Sequence, residues 1–367
     1  MTERRMVREK IRTLGRNAAL VRTFVGGYQE FRRSGMTPLS AYSSLRELYW
    51  RSNGRFNDLI AFLIGLLNPP DSIADHTGVL GVPDELEIRK VVHDLRTRGY
   101  HVFDRRLPEE LCKDLVTFAK TATARPLISF SDQSAASTSK WKWARPVVFT
   151  GANPGYVAYY FDSQKIMETQ AAQKVVGDPW LLSVAQDYLR CRPVNTQVAM
   201  WWSTAACKRP SSEAAQLYHF DMDWIKFLKF FFYLTDVTPD TGPHCYVAGS
   251  HIRKPKALLR DGRFSDEEIE RHYSPNDFIE ILGSKGTIFV ADTRGFHKGK
   301  PLLTGSRLLF QVEFAVNLFG QNYQAIELTD SFAAEFIKVV RQHPYTYTKF
   351  VQPRAKMPRQ SVSVDEK

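Results

Sequence analysis

The sequence predicts a mainly β fold with helical additions, built around a barrel or jelly roll, and three observations carry the prediction. The first is an alternation after residue 306: Leu308, Phe310, Val312, Phe314 and Val316 share one face of a strand, while Arg307, Leu309, Gln311 and Glu313 share the other. Successive side chains on a strand point to opposite sides, so this segment packs one face and offers the other to a polar cavity. The second is a set of short β-rich runs closed by turn residues, Val147 to Thr150, Val157 to Phe161 and Val198 to Trp202. The third is that helical patterning is confined to the two ends of the chain and to two internal segments.

In chain order, residues 1–84 read as a basic helical region, with apolar positions such as Ile11, Leu14, Leu20 and Phe24 spaced three to six apart. Its most apolar stretch, Ile60 to Leu67, stops at Asn68-Pro69-Pro70. That is far short of the roughly eighteen apolar residues of a membrane span, so it reads as a buried helix turn. Gly78, Gly81 and Pro83 punctuate the junction with a domain over residues 85–325. Helices are expected inside it near 163–176 and 179–189. Residues 326–367 turn helical again from Asp330 to Arg341, and the polar run from Gln352 to Lys367 is expected to be disordered.

Chemistry is concentrated in His219-Phe220-Asp221, followed by His297 and then Arg307. Two imidazoles and one carboxylate can occupy one face of an iron(II) ion and leave the other positions open for substrate and O₂. On a strand His219 and Asp221 point to the same side, so both can reach one ion, and the third ligand must fold back from a distant strand. Arg307, ten residues beyond His297, offers a planar fork suited to a carboxylate. A metal with a dicarboxylate co-substrate is the combination of an oxygenase. Asp223 is also in phase with His219, but one step further along, and reads as a hydrogen-bonding or substrate-facing neighbour. His244 and His251 read as structural or close to substrate, and the remaining histidines as ordinary core or surface residues.

The stretch from His219 to His251, HFDMDWIKFLKFFFYLTDVTPDTGPHCYVAGSH, resembles the core of the phytanoyl-CoA dioxygenase-like enzymes. The matching features are the HxD, the apolar strand, the turn from Asp236 to Pro243, and Gly249-Ser250-His251. Gly286 to Val290, leading to His297, is similar to the strand before the family's distal iron histidine. Gly305-Ser306-Arg307 resembles its 2-oxoglutarate-binding segment, and Gly99 to Leu115 its opening strand and first helix. The resemblance covers residues 85–325. It implies a double-stranded β-helix (a cupin-like jelly roll), Fe(II) held by His219, Asp221 and His297, and 2-oxoglutarate anchored by Arg307. It further implies a contact from Gln197, on the strand before the HxD, to 2-oxoglutarate. The implied reaction is an O₂-dependent hydroxylation with succinate and CO₂ as co-products. The family's halogenases lack the metal carboxylate, so Asp221 favours hydroxylation.

Length and charge bound the rest. The 367 residues, 43% hydrophobic and 13% aromatic, suffice for one catalytic domain with helical additions. Cys112, Cys191, Cys207 and Cys245 lie far apart and read as free thiols of a reducing compartment. The basic N-terminus has no apolar core before a small-residue cleavage site, so a cytoplasmic enzyme is expected. Residues 1–60 hold twelve Lys or Arg against five Asp or Glu, most of the net charge of +11. This excess is either a solvated helical face or a collar for an anionic substrate or acidic surface. No nucleic-acid-binding module accompanies it. Lys226 and Lys229, three apart, turn at most one ammonium toward an anionic substrate, and Trp141, Trp143, Trp201, Trp202 and Trp224 serve as apolar lining or core. The alternative to a small-molecule hydroxylase is a catalytically silent jelly roll that binds a metabolite or acidic partner, which would have no reason to keep all four chemical residues.

Overall fold

The strand that carries Arg307 lies near the middle of the fold, and the rest is arranged about its two faces. A computed structural model describes residues 3–73, 77–128, 142–151, 155–206 and 209–352, the first twelve of them and residue 142 through their backbone only. Helices α1 (Glu3–Ser34), α2 (Leu39–Ser52), α3 (Arg55–Leu67) and α4 (Glu85–Thr97) precede β1 (Tyr100–Arg106). Next come α5 (Glu109–Thr121), β2 (Thr123–Ile128), and the short β3 (Lys142–Trp143), β4 (Val147–Val148) and β5 (Ala158–Tyr160). Helices α6 (Ser163–Met167), α7 (Gln170–Val176) and α8 (Pro179–Leu189) lead to β6 (Val194–Thr204), β7 (Phe227–Tyr233) and β8 (His244–Val247). After α9 (Asp266–Glu270) run β9 (Phe278–Ile281), β10 (Thr287–Ala291), β11 (His297–Gly299) and β12 (Ser306–Ala315). The described chain closes with β13 (Ile326–Glu327), α10 (Ala334–Gln342) and β14 (Phe350–Val351).

Among the described residues, one sheet runs β1-β10-β7-β12-β6-β5-β2-β3 with β4 beside β2, and a second runs β11-β8-β9. An isolated bridge between His219 and His297 gives the second sheet a further, one-residue strand. Facing one another, β10-β7-β12-β6 and His219-β11-β8-β9 form a double-stranded β-helix, a jelly roll with helices outside. Leu308, Phe310, Val312 and Phe314 pack with Phe230, Phe232, Met200 and Trp202 against the helices. The other face of β12 looks between the sheets, where Leu309 joins Phe231, Tyr233, Phe289, Tyr246 and Ile281. Arg307, Gln311 and Glu313 lie buried on that inner face. Phe24, Leu45, Ala61 and Ile64 of the first helices belong to the same core as β12.

Three local expectations change. The helix expected over 163–176 is broken at Thr169, whose hydroxyl accepts from the Ala172 N–H at 3.3 Å and starts a new helix. The HxD segment is extended but not a regular strand, since His219 pairs at a single bridge. The Ile60 to Leu67 stretch is not a buried turn. In α3 the small residues Ala61 and Gly65, with Ile64, face inward, and a Cβ on Gly65 would stand 2.5 Å from the Arg190 carbonyl oxygen. That close approach leaves the large side chains outside: Leu59 is 54% exposed, Phe62 54%, Leu63 46%, Leu66 64% and Leu67 77%. Hydrophobicity alone does not say which side of a helix is covered.

Cys112, Cys191 and Cys245 are free and buried. Cys207, Trp141, His76 and the tail beyond Gln352 lie outside the described residues. No described helix is long and apolar enough to cross a membrane.

Phe310→Ala, at a fully buried position of β12, is expected to cost about 3–5 kcal/mol of stability by urea unfolding. Leu66→Ala should stay within about 0.5 kcal/mol. A large loss at Leu66 would show that the outer face of α3 is covered in solution.

Candidate metal centre

Backbone pairing builds the centre. The His219 N–H donates to the His297 carbonyl at 3.0 Å, the His297 N–H returns the bond at 2.9 Å, and the Asp221 N–H donates to the Thr293 carbonyl at 2.8 Å. The two imidazoles come to lie 4.3 Å apart, centroid to centroid. Their Nδ1 atoms meet backbone carbonyls, His219 at Leu217 (2.9 Å) and His297 at Gly295 (3.0 Å). A carbonyl only accepts, so Nδ1 carries the proton on each ring and Nε2 keeps its lone pair. Both Nε2 atoms look at one carboxylate, 3.6 Å from Asp221 Oδ1 for His219 and 3.5 Å from Oδ2 for His297.

One ligand atom from each of His219, Asp221 and His297 lies within 4.8 Å of the others. Burial is the main cause that holds both imidazoles below their usual pKa, so they are neutral near pH 7, the state that binds a metal. Two neutral imidazoles and one carboxylate aimed at a common point fit a divalent first-row ion such as iron(II).

Lys229 on β7 was not legible as part of this centre. Its Nζ donates to Asp221 Oδ2 at 2.7 Å and to Asp223 Oδ2 at 2.9 Å, with Glu313 Oε2 at 3.7 Å. Burial pushes the Asp221 carboxyl up, but Lys229 foremost, then His297 and His219, outweigh it and hold the group well below the carboxylate range. Burial lifts Glu313 to about 7 against the pull of Lys229. Two carboxylates accept from this ammonium and a third acid stands nearby, so it is not free for an anionic substrate. Lys226 is matched as well, 3.4 Å from Asp58 and over the Tyr188 ring. Both lysines are thus already matched by acids of the chain.

Arg307 has the opposite environment. It is only 4% exposed. Its Nη1 donates to the Gly242 carbonyl, its Nη2 to Ser203 Oγ at 3.3 Å, and its Nε has no partner. Among the described residues no carboxylate pairs with it, and burial depresses its pKa. A buried cation without a matching anion is costly. His244 lies between this arginine and the centre. Its ring stacks on His297 at 5.4 Å, Arg307 is among the charges lowering its pKa, and its buried Nε2 is also without a partner. The inner wall nearby is aromatic, with Tyr160 stacked on Trp201 at 5.6 Å.

Gln197 is not beside Arg307. On β6 it is Ser203 that registers with Arg307, while Gln197 registers with Glu313. Six strand residues separate the two positions, about 20 Å. Gln197 accepts from Gln311 Nε2 at 2.8 Å and lines a cavity of about 200 Å³ with Thr196, Asp223 and Glu313.

Two more parts escaped sequence reasoning. The Arg294 guanidinium pairs with Asp292 at 2.7 Å and with Asp58 of α3 at 2.9 Å, and its carbonyl accepts from Lys254 Nζ at 2.5 Å. This braces the segment that ends in His297. Arg263 is half-buried and follows no motif. Its neighbour Phe264 donates its N–H to the Tyr218 carbonyl at 2.9 Å, which places it beside His219. Burial lowers its pKa while Asp221, foremost among nearby charges, raises it, and it forms no ion pair among the described residues.

A family profile described as phytanoyl-CoA dioxygenase matches residues 76–308. No curated protein matches the chain. Solved structures similar to it include a non-heme alpha-ketoglutarate-dependent epimerase from nogalamycin biosynthesis, at 15% identity over 63% of this chain and 84% of that one, TM-score 0.45. A carbocyclase of the same biosynthesis matches at 18% identity over 64% and 87%, TM-score 0.43. The Streptomyces hygroscopicus protein HygX, crystallised with nickel, 2-oxoglutarate and hygromycin B, matches at 14% identity over 68% and 93%, TM-score 0.40.

Lys229→Met leaves three carboxylates facing one another and is expected to cost about 3–5 kcal/mol of stability in the metal-free protein. The loss should shrink when manganese(II) is added, because a bound ion also neutralises Asp221. Thermal midpoints with and without the ion test this, and an equal loss in both would remove Lys229 from the centre.

Proposed function

The chain belongs to the phytanoyl-CoA dioxygenase family, and on that premise we propose that it is an Fe(II)- and 2-oxoglutarate-dependent hydroxylase of a small molecule bearing an anionic group. One observation carries the reading: a pair of neutral imidazoles aimed at a carboxylate shares an interior with a buried arginine that pairs with no carboxylate among the described residues. Bound there, iron(II) and 2-oxoglutarate supply O₂ activation, with oxidation of the substrate and release of succinate and CO₂.

The chain's own residues do the rest. His219, Asp221 and His297 hold the ion from one side and leave the other open. Leu217 and Gly295 fix the imidazole tautomers, and Lys229 keeps Asp221 Oδ2 engaged so that the carboxylate cannot swing. Arg307 takes the far carboxylate of 2-oxoglutarate as a fork. Phe231, Leu309 and Trp201 exclude water between the two. Arg263, the cation left unpaired beside the centre, meets the substrate's anionic group, and Gln197 belongs to the far end of the cavity, away from Arg307. In this reading residues 85–325 are the catalytic domain, 1–84 buttress it through the shared hydrophobic core, and 326–367 close its helical side. A silent jelly roll would leave the imidazole pair and the unpaired arginine without a task.

Succinate release by the iron-loaded protein across a panel of carboxylated and phosphorylated small molecules is the direct test. Asp221→Ala should abolish it while leaving the fold intact, and unchanged release would sink the assignment of the centre.

Arg307→Lys keeps the charge but loses the fork. The apparent affinity for 2-oxoglutarate should fall roughly tenfold with iron binding nearly unchanged. Equal co-substrate affinity in the variant would mean that another cation anchors it.

A further inference from the structure

Helix α3 turns a second apolar face outward. Leu59, Phe62, Leu63, Leu66 and Leu67 follow the i, i+3, i+4, i+7, i+8 spacing of one helical stripe, and each is about half exposed or more. No described residue covers them. Cations stand on both sides of the stripe. Arg96 and Arg190 share with Phe62 and Leu66 a cavity of about 600 Å³. Arg55, Arg253 and Lys256 line a second depression across Asp58, together with the exposed Ile252.

None of these five cations forms an ion pair among the described residues. Of the nearby acids, Asp58 is matched with Arg294 and Lys226 and Asp71 with Arg192, while the exposed Asp187 accepts from Arg96 through its backbone carbonyl at 3.2 Å. The result is an apolar stripe with a predominantly cationic rim.

We propose that this face docks peripherally on an anionic lipid bilayer, with the leucines and Phe62 entering the boundary between headgroups and acyl chains and the rim meeting lipid phosphates. The affinity of such a face scales with its apolar area and with attraction to anionic lipid. With 13 residues α3 is far too short to cross a bilayer, so the contact lies in the surface plane. Charge argues against a second copy as the occupant, because a twofold contact sets each patch on its equivalent and brings the two cationic rims together. The twelve cations of residues 1–60 add to the same sign. The inference is independent of the proposed reaction.

The test is co-sedimentation of the full chain with vesicles of phosphatidylcholine alone and with roughly one-third phosphatidylglycerol. Binding is expected to the anionic vesicles, to weaken as salt is raised through the range where the screening length falls below about 8 Å, and to drop at least about tenfold in Leu63→Glu/Leu66→Glu. Because both positions are exposed, metal binding and the thermal midpoint should not change. Should that variant misfold, Arg190→Gln/Arg253→Gln gives the same test at the rim, with a loss of about tenfold. Absence of binding to the anionic vesicles overturns the proposal. So does equal binding to neutral vesicles, or a monomer–dimer equilibrium in sedimentation velocity that Leu66→Glu abolishes while vesicle binding is unaffected.

Discussion

Two reciprocal backbone bonds between His219 and His297 hold this site together. They close the second sheet around residues that an irregular loop would otherwise leave free. They also bring two imidazoles from distant parts of the chain to 4.3 Å, centroid to centroid, with their planes tilted by 48°. Each ring is then turned by a carbonyl two residues upstream, Leu217 or Gly295, so the backbone that pairs the histidines also sets their tautomers. Asp221 follows because its own N–H is caught by Thr293, on the same returning segment. Side-chain geometry at the centre is thus a consequence of main-chain pairing, which costs little to maintain in a sheet.

Charge along the inner face of β12 is uneven. At one end Glu313 joins Asp221 and Asp223 around a single ammonium, a cluster with its own counter-charge. At the other end Arg307 donates, among the described residues, to a carbonyl and a hydroxyl. A buried guanidinium in that state is worth its desolvation only if something anionic completes it. The Lys229 end carries a cation among acids, and the Arg307 end a cation with no carboxylate against it among the described residues.

The jelly roll, the three residues of the centre and the inward Arg307 were legible because each rests on a local rule. Alternation assigns the faces of β12, and HxD spacing puts two ligands on one side even where the strand is reduced to a bridge. Lys229 was not legible, since its two neighbours in sequence, Leu228 and Phe230, read as plain core strand, and nothing local says that three carboxylates converge on the position between them. Gln197 shares the inner face of β6 but registers with Glu313, six residues from the position opposite Arg307, and a one-residue alternation does not tell these positions apart. The outward stripe of α3 failed for a different reason. A helix that is apolar all round gives no sign of which side packs, and here Ala61 and Gly65 decided it by allowing the closest approach.

Magnitudes decide what binds α3 to the barrel. Its visible ionic link, Asp58 to Arg294, has one partner half in water, and such a pair contributes roughly 0–1 kcal/mol. The other carboxylate of that arginine, Asp292, is fully buried and also accepts from Tyr188 at 2.5 Å, so the His297 segment keeps its brace without α3. What fixes the helix is the burial of Ala61 and Ile64 in the common core, with Asn57 donating to the Ile225 carbonyl at 3.0 Å to set its register. Burying one aliphatic side chain is worth about 1.5–3 kcal/mol, several times the exposed ion pair. The N-terminal helices are therefore part of the barrel's hydrophobic core, and the polar tethers only choose the alignment in which that core closes.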